Sequence, residues 1–483
     1  MSASKTPVNG ETMEKISQWI DGHREQITAD ILRLVKIISV SDPHSEVKPF
    51  GKPCREVLEE MMKIGREHGF QTENYDYYCG SMWREKSGGP VEESIGFWGH
   101  LDVVPLGDNW QFSPYEPFEK DGYIVGRGSQ DNKGPTIGTM YCIQCLDELG
   151  IELKHPLRMF FGCDEERGMT DMEYYAENYP CPKMSIIADC GFPVCYGEKG
   201  IIETNLVSDE PLSEDVLSLS GGVASNMVPD FAEIVLKKTD RVKGALELLP
   251  KEIAVEEKED SYRLTARGIS RHTAFPDGGV SAIARLAKGL LYAGALSDED
   301  AEKFMYLCEA GQDFYGRGLQ IQCSDEISGR LSCVESMFGQ KEDGRLWMHF
   351  NIRYPIEADS EKIVEAIGQS ARRRGFSQEL IRDSKPNYFD RNHPAVDLLT
   401  GVFNEIAGME TEPYVMAGGT YARKLPRAFA FGMGIPGEGL EHPMFLPGHG
   451  GGHEPDEGLR LESLFKAMKI FCMGLIALND VEI

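Results

Sequence analysis

Between residues 94 and 190 the chain alternates short apolar runs with stretches of helical periodicity, and that alternation narrows the fold more than any other feature. SIGFWGHLDVV, PLRMFFGCDE and MSIIADC read as strands, with helices from Lys133 to Leu149 and from Asp171 to Asn178 between them. The pattern predicts an α/β layer with a mostly parallel sheet flanked by helices. Ile16, Trp19, Ile20, Ile27, Ile31, Leu34, Val35 and Ile38 recur at helical spacing and predict another helix over about Glu11 to Ser39. A second amphipathic helix runs from about Cys54 to His68 and stops near Gly69.

Functional groups in such sheets gather where strands end and loops begin. His100 in GHLDVVP, Glu165 and Glu166 in FFGCDEERGM, and Asp189 in SIIADCGFP all lie at or near the ends of apolar runs. Asp131 in GRGSQDNKG and His453 in GHGGGHEPDE occupy turn-rich loops. Neutral imidazoles and hard carboxylate oxygens together suit a pair of divalent metals. His100, Asp131, Glu166, Asp189 and His453 are five such donors, enough for two ions when one carboxylate bridges them. His100 and Asp102 are two apart on a strand end and face the same side, so Asp102 can accept from the second imidazole nitrogen and orient the ring. The adjacent Glu165 and Glu166 repel unless a cation neutralises one or one holds a proton. With metals present the pair divides the work: Glu166 ligates and Glu165 moves a proton.

Each motif has a plainer reading: a structural histidine, or solvated loop acids. The loop GRGSQDNKG could bind phosphate, but it lacks the spacing of a phosphate-binding loop, and only Arg127 and Lys133 are basic there. His449 and His453 are four apart, a metal spacing only on a helix, which the intervening glycines oppose. His449 is therefore read as a loop or supporting residue.

Beyond about Cys195 the texture changes. IIETNLVS, DVLSLSGGV, SYRLTARG and RLWMHFNIRY read as strands of half-buried sheets, interspersed with helices near Ile283 to Ala293 and Glu361 to Arg374. Residues 196–382 are read as an inserted α+β domain. Residues 1–195 and 383–483 would form one discontinuous domain, because His453 can join the other donors only if the two ends of the chain meet. A helical HPAVDLLTGVFNEIAG and a last helix from Leu461 to Ala477 belong to the second piece.

At 483 residues the chain exceeds a single core. Its formal charge of -28 argues against nucleic acid or an anionic membrane as partner. No apolar run approaches the ~18 to 20 residues of a membrane span. The opening MSASKTPVNGETMEK lacks the apolar core of a secretory signal and reads as a frayed leader. Twelve cysteines show no framework spacing, and the lone C-x-x-C, Cys142 and Cys145, lies in a helical pattern and reads as core packing. Reduced cysteines and the absent signal point to the cytoplasm.

Taken in order, GHLDVVP, GRGSQDNKGP, DEERGM, ADCGFPV, GGVASNMVPD, GISRHTAFP, FNIRYP, GGTYAR and HEPDE resemble the zinc-dependent aminopeptidase, aminoacylase and glutamate-carboxypeptidase family of two-metal hydrolases. Within it the likeness is to the PepV-type dipeptidases, which include Xaa-His and carnosinase-like enzymes. The resemblance implies that Asp131 bridges two divalent cations, with Glu166 and His453 completing one site and His100 and Asp189 the other. Zinc is the expected ion, and manganese or cobalt accepts the same donors. Glu165 would be the general base acting on a water between the ions, and Asp102 the residue that orients His100. The inserted domain would be a lid of two sheet-and-helix subdomains. Its His272 and Asn226 match positions that bind the substrate carbonyl or carboxylate, and Arg353 the one that grips the C-terminal carboxylate. Members with a shorter lid dimerise and borrow the histidine from the partner; here the longer insert implies a monomer-competent enzyme, with a dimer left open.

The implied reaction is hydrolysis of small dipeptides with free N-terminal amine and free C-terminal carboxylate. An N-acyl-amino-acid amidohydrolase or a carboxypeptidase would use the same chemistry, and a non-catalytic metal-dependent binding protein the same scaffold without a need for Glu165. The chain departs from the resemblance at Asn132, where the family often has a second aspartate. Cys190 beside Asp189 has no assigned role.

Overall fold

A computed structural model describes residues 9–438 and 442–483. Residues 1–8 of the expected leader lie outside them, whereas its last residues already belong to a helix, Gly10–Val35. Asn9 caps that helix, its side-chain oxygen accepting from the backbone N–H of Glu11 at 3.1 Å and of Thr12 at 3.4 Å. Ile16, Ile20, Ile27, Ile31 and Leu34 are fully buried along one stripe, each contributing about 1.5–3 kcal/mol relative to exposure. The helix stops at Val35, short of the expected Ser39, and the residues beyond it serve other partners. The Ile37 carbonyl accepts from the Lys133 ammonium at 2.6 Å, and Ser39 Oγ donates to the Leu101 carbonyl at 2.5 Å.

Two compact units divide the chain. The first falls within Met1–Gly197, Asn387–Val415 and Gly419–Ile483, the second within Glu198–Pro386 and Met416–Gly418. At the centre of the first unit's nine-stranded sheet four strands run parallel, in the order Leu157–Gly162, Ile95–His100, Met184–Ile187, Ala428–Phe431. Antiparallel strands flank them, Cys79–Trp83 beside Leu157–Gly162 and Val194–Glu198 beside Ala428–Phe431. The parallel strands are buried along their whole length, as both-face coverage requires. The Gly134–Glu148 helix, buried at every residue from Gly134 to Asp147, packs between Gly10–Val35 and Leu461–Ala477. Cys142 and Cys145 lie in this core, and all twelve cysteines are free thiols.

The strand order contains a reversal. The first strand of the alternating stretch sits between the second and third, so successive crossovers leave in opposite directions and open a crevice beyond its C-terminal end. The register brings functional residues to one level there. His100 is paired with Gly162, three and four residues before Glu165 and Glu166, and Trp98 with Ile187, two residues before Asp189.

In the second unit eight antiparallel strands form one continuous sheet. The two expected subdomains are halves of that sheet rather than separate sheets. Ile253–Glu257, Ser261–Arg267, Phe231–Lys237 and Val216–Gly221 make one half, with the Ala282–Ala293 helix packed on it. Ser332–Gln340, Arg345–Tyr354, Gly200–Pro211 and Phe376–Ser384 make the other, with the Ser360–Arg373 helix. The halves join where Ser220 and Gly221 pair with Gly339 and Phe338. No helix among the described residues is long and apolar enough to cross a membrane.

The core of this unit contains Glu335, 4% exposed, with neither carboxylate oxygen hydrogen-bonded among the described residues. Burial pushes its carboxyl well above the usual range. A raised folded-state value means that stability is full below the ordinary glutamate range and falls as pH rises, because the unfolded chain ionises first. Glu335→Gln is expected to gain over the parent by about 1.4 kcal/mol per pH unit above that range, up to the raised value. Denaturant melts of both proteins at several pH values measure this difference.

Candidate metal centre

The first unit's strand ends and two loops bring His100, Asp131, Glu165, Glu166, Asp189 and His453 together. His100 Nε2 lies 2.9 Å from Asp131 Oδ1 and 3.6 Å from Asp189 Oδ2. His453 Nε2 lies 3.1 Å from Asp131 Oδ2 and 2.9 Å from Glu166 Oε1. The contacts therefore fall into two groups that share Asp131, one oxygen of which faces each histidine. Donor atoms of His100, Asp131 and Glu166 lie within 4.8 Å of one another, as do those of His100, Glu165 and Asp189. Exposure is graded across the site: the His100 side chain is 1% exposed and that of His453 50%.

Backbone geometry aims Asp131. Gly128 adopts a positive φ of 84°, and Asp131 leaves the helical region (φ -128°, ψ 95°) just before the Gly134–Glu148 helix begins. One residue that the sequence reading passed over holds this loop. Glu457 Oε1 accepts from the backbone N–H of Gln130 at 2.9 Å and of Asp131 at 3.0 Å. Its Oε2 accepts from Gly128 N–H at 3.0 Å and from Arg127 Nη1 at 2.8 Å. Arg127 Nη2 donates in turn to the His453 carbonyl at 3.3 Å. A buried arginine between two glycines needs an acidic partner, and that was the available signal. Lys133 is also turned inward, burial lowering its ammonium to about 8. Both basic residues near the glycine loop thus have internal partners, which weakens the phosphate reading. His449 Nδ1 donates to Asp456 Oδ2 at 2.6 Å, in a segment that is not helical.

The Asp102 carboxylate lies 3.4 Å from His100 Nδ1, farther than Asp102's own carbonyl oxygen at 3.0 Å. The carboxylate also accepts from the backbone N–H of Glu165 at 3.2 Å and of Glu166 at 3.1 Å. Asp171 does the same one step earlier, accepting from Cys163 N–H at 2.7 Å and Asp164 N–H at 2.9 Å, with Tyr421 OH donating to the same oxygen at 2.5 Å. Two buried carboxylates so fix four consecutive peptide groups of the loop that carries Glu165 and Glu166. A Cβ at Gly162 would stand 2.2 Å from Asp171 Oδ2, so this approach needs glycine there. Asn132 resolves the question its departure raised. Its Nδ2 donates to Asp189 Oδ1 at 2.7 Å and to the Ala188 carbonyl at 2.9 Å, while its Oδ1 accepts from Thr136 Oγ1 at 2.9 Å and His100 N–H at 3.3 Å.

Burial, reinforced by Asp189, Glu166 and Asp102 and opposed by His100, holds the Glu165 carboxyl well above the usual range. Burial and Asp131 raise Asp189 to about 7. Hydrogen bonds that it donates to Asp131 and Glu166 raise His453 to about 11. Four carboxylates crowded around two imidazoles make positive charge strongly favoured, and nitrogen and carboxylate-oxygen donors in two groups around one shared carboxylate fit two divalent cations.

His272, Asn226 and Arg353 belong to the second unit. Thr273 N–H donates to the Asn226 carbonyl at 2.9 Å, and Arg353 lies close enough to help burial lower the His272 imidazole. His272 Nδ1 accepts from Ala274 N–H at 3.2 Å, so the neutral ring carries its proton on Nε2. Arg353 is 6% exposed, with Nε donating to Asn351 Oδ1 at 3.0 Å and Nη1 to the Ala417 carbonyl at 3.2 Å.

The model of peptidase family M20/M25/M40 matches residues 96–475. YtjP of Bacillus subtilis (strain 168), provisionally named a dipeptidase, is 29% identical over 474 residues, covering 94% of this chain and 97% of that one. Among solved structures, the dipeptidase Dug1p from Saccharomyces cerevisiae aligns with a TM-score of 0.58 at 14% identity, over 98% of this chain and 100% of that one. Human carnosine dipeptidase 1 aligns with a TM-score of 0.57 at 14% identity, over 97% and 99%. At those identities the two structures establish a shared fold.

If Glu457 fixes the loop of Asp131, Glu457→Gln should lower affinity for a divalent cation about 10- to 100-fold, since it places an amide donor against other donors. Competition with a metal-buffering chelator measures it; unchanged affinity would count against the clamp.

Proposed function

The chain belongs to peptidase family M20/M25/M40, and from that premise we propose that it is a two-metal dipeptidase, acting on dipeptides with a free N-terminal amine and a free C-terminal carboxylate. The observation that carries the reading is Asp131, whose two oxygens face His100 and His453 separately. That arrangement supports Asp131 as the bridging ligand, with Glu166 and His453 on one ion and His100 and Asp189 on the other. The donor set suits zinc first, and manganese or cobalt as well. When bound, the ions supply Lewis-acid polarisation of the scissile carbonyl and bring deprotonation of a water into the neutral range.

The remaining work falls to side chains of this chain. Glu165, held on a rigid loop with its carboxyl raised, takes the proton of the attacking water and returns it to the leaving amine. His272, with its proton on Nε2, is a neutral donor for the oxyanion that develops on the carbonyl oxygen. Arg353 grips the terminal carboxylate, for which a guanidinium offers two parallel donors, and Asn226 contributes to holding the substrate. The long insert, in place of a partner's lid, would let His272 act within its own chain, so that a monomer can be active, with a dimer left open. The provisional name of YtjP and the names of Dug1p and carnosine dipeptidase 1 point to the same substrate class.

A panel of Ala-Ala, carnosine and N-acetyl-alanine separates this reading from an amidohydrolase: the free dipeptides should be cleaved and the acylated amino acid spared. Preference for N-acetyl-alanine would overturn it. Chelation should abolish turnover, with zinc, manganese or cobalt restoring it. Glu165→Gln should retain its metal by elemental analysis yet lose about 10²- to 10⁴-fold in kcat, and unchanged turnover would remove Glu165 as the base.

A further inference from the structure

In the second unit Asn351 and Arg353 stand two apart on the Arg345–Tyr354 strand and so share one face of the sheet. Asn351 Oδ1 accepts two hydrogen bonds, from Arg353 Nε at 3.0 Å and from Thr273 Oγ1 at 2.9 Å. Thr273 directly follows His272, and its own carbonyl accepts from Ser332 Oγ at 2.8 Å. One carboxamide oxygen thus ties the guanidinium to the segment that carries the histidine. The amide cannot be turned round, because a guanidinium N–H only donates and needs the oxygen opposite it.

The other end of the same amide is in a different position. Asn351 is fully buried, and its Nδ2 has no hydrogen-bond partner among the described residues. A buried donor left unpaired is destabilising. An aspartate would accept the same two bonds with no donor left over, so hydrogen-bond satisfaction alone favours a carboxylate here. What the amide avoids is a negative charge placed directly on the Arg353 guanidinium. Glu203 already pairs in register with Asn351 on the neighbouring strand and interacts with Arg353, so a second carboxylate would add to an existing one.

We infer that Asn351 is a specificity-determining positioning residue: it orients Arg353 through a neutral acceptor, so that the guanidinium keeps its attraction for a substrate carboxylate. The inference rests on the reading of Arg353 as the carboxylate anchor. It makes the preference for a free C-terminal carboxylate depend on residue 351 being both a hydrogen-bond acceptor and uncharged.

The test compares kcat/KM for Ala-Ala with that for Ala-Ala amide, which differs only in lacking the terminal charge, on the metal-loaded full chain. General damage to the fold or to the metal centre slows both substrates and leaves their ratio alone. Asn351→Asp keeps shape and acceptors while adding charge; Asn351→Ala removes the acceptor. Each is expected to lower the acid-to-amide ratio by about 10-fold or more, the scale of one hydrogen bond to a charged group. Arg353→Met run alongside separates two failures. If it collapses the ratio while either Asn351 variant keeps the parental value, the inference about Asn351 is overturned. If Arg353→Met itself leaves the ratio unchanged, Arg353 is not the anchor and the inference falls with it.

Discussion

The Glu457 carboxylate accepts from three backbone N–H groups of residues 128–131 and from the Arg127 guanidinium, and the rest of the metal centre depends on that set of bonds. Glu457 lies four residues beyond His453, while Arg127 lies four before Asp131. The pair joins segments 330 residues apart and touches both, since Arg127 also donates to the His453 carbonyl. A buried ion pair need not add net stability, because desolvation opposes the attraction. Here its role is geometric. It sets the spacing between the shared carboxylate and the histidine from the far end of the chain.

The same device recurs at the other side of the site. Asp102 and Asp171 each hold two consecutive peptide N–H groups, so the loop bearing Glu165 and Glu166 cannot swing without breaking buried hydrogen bonds. Asn132 adds a third tie, between Asp189 and the end of the His100 strand. Side chains held in this way keep like-charged carboxylates close despite their repulsion. A bound cation would relieve that conflict, which connects the crowding of acids to the proposed chemistry.

In the second unit the hydrogen bonds that orient the two basic side chains involve uncharged groups, while the Glu203 carboxylate also acts on Arg353. Asn351 and the Ala417 carbonyl fix Arg353, and Ala274 fixes the tautomer of His272, each by an uncharged group.

Much of this was legible beforehand, for reasons that differ by residue. The parallel strands and their crossovers follow from local apolar runs and helical spacing, which any stretch of sequence displays by itself. His100, Glu165, Glu166 and Asp189 could be placed because they punctuate those runs, and Asp131 and His453 because their side chains and glycine-rich settings are chemically distinctive. The end of the first helix was not legible, since Ile37 leaves it for a lysine nearly a hundred residues away. Nor was the single continuous sheet of the second unit, joined by a short ladder at Ser220 and Gly221. The sequence by itself determined the donor set and the layer that would present it, because residue type and periodicity are local properties. Only the tertiary structure decided what holds each of these side chains: Glu457 on the loop of Asp131, Asp102 on the N–H groups of Glu165 and Glu166, Asn132 on Asp189. Those bonds form between residues distant along the chain, where the sequence has no periodicity to record them.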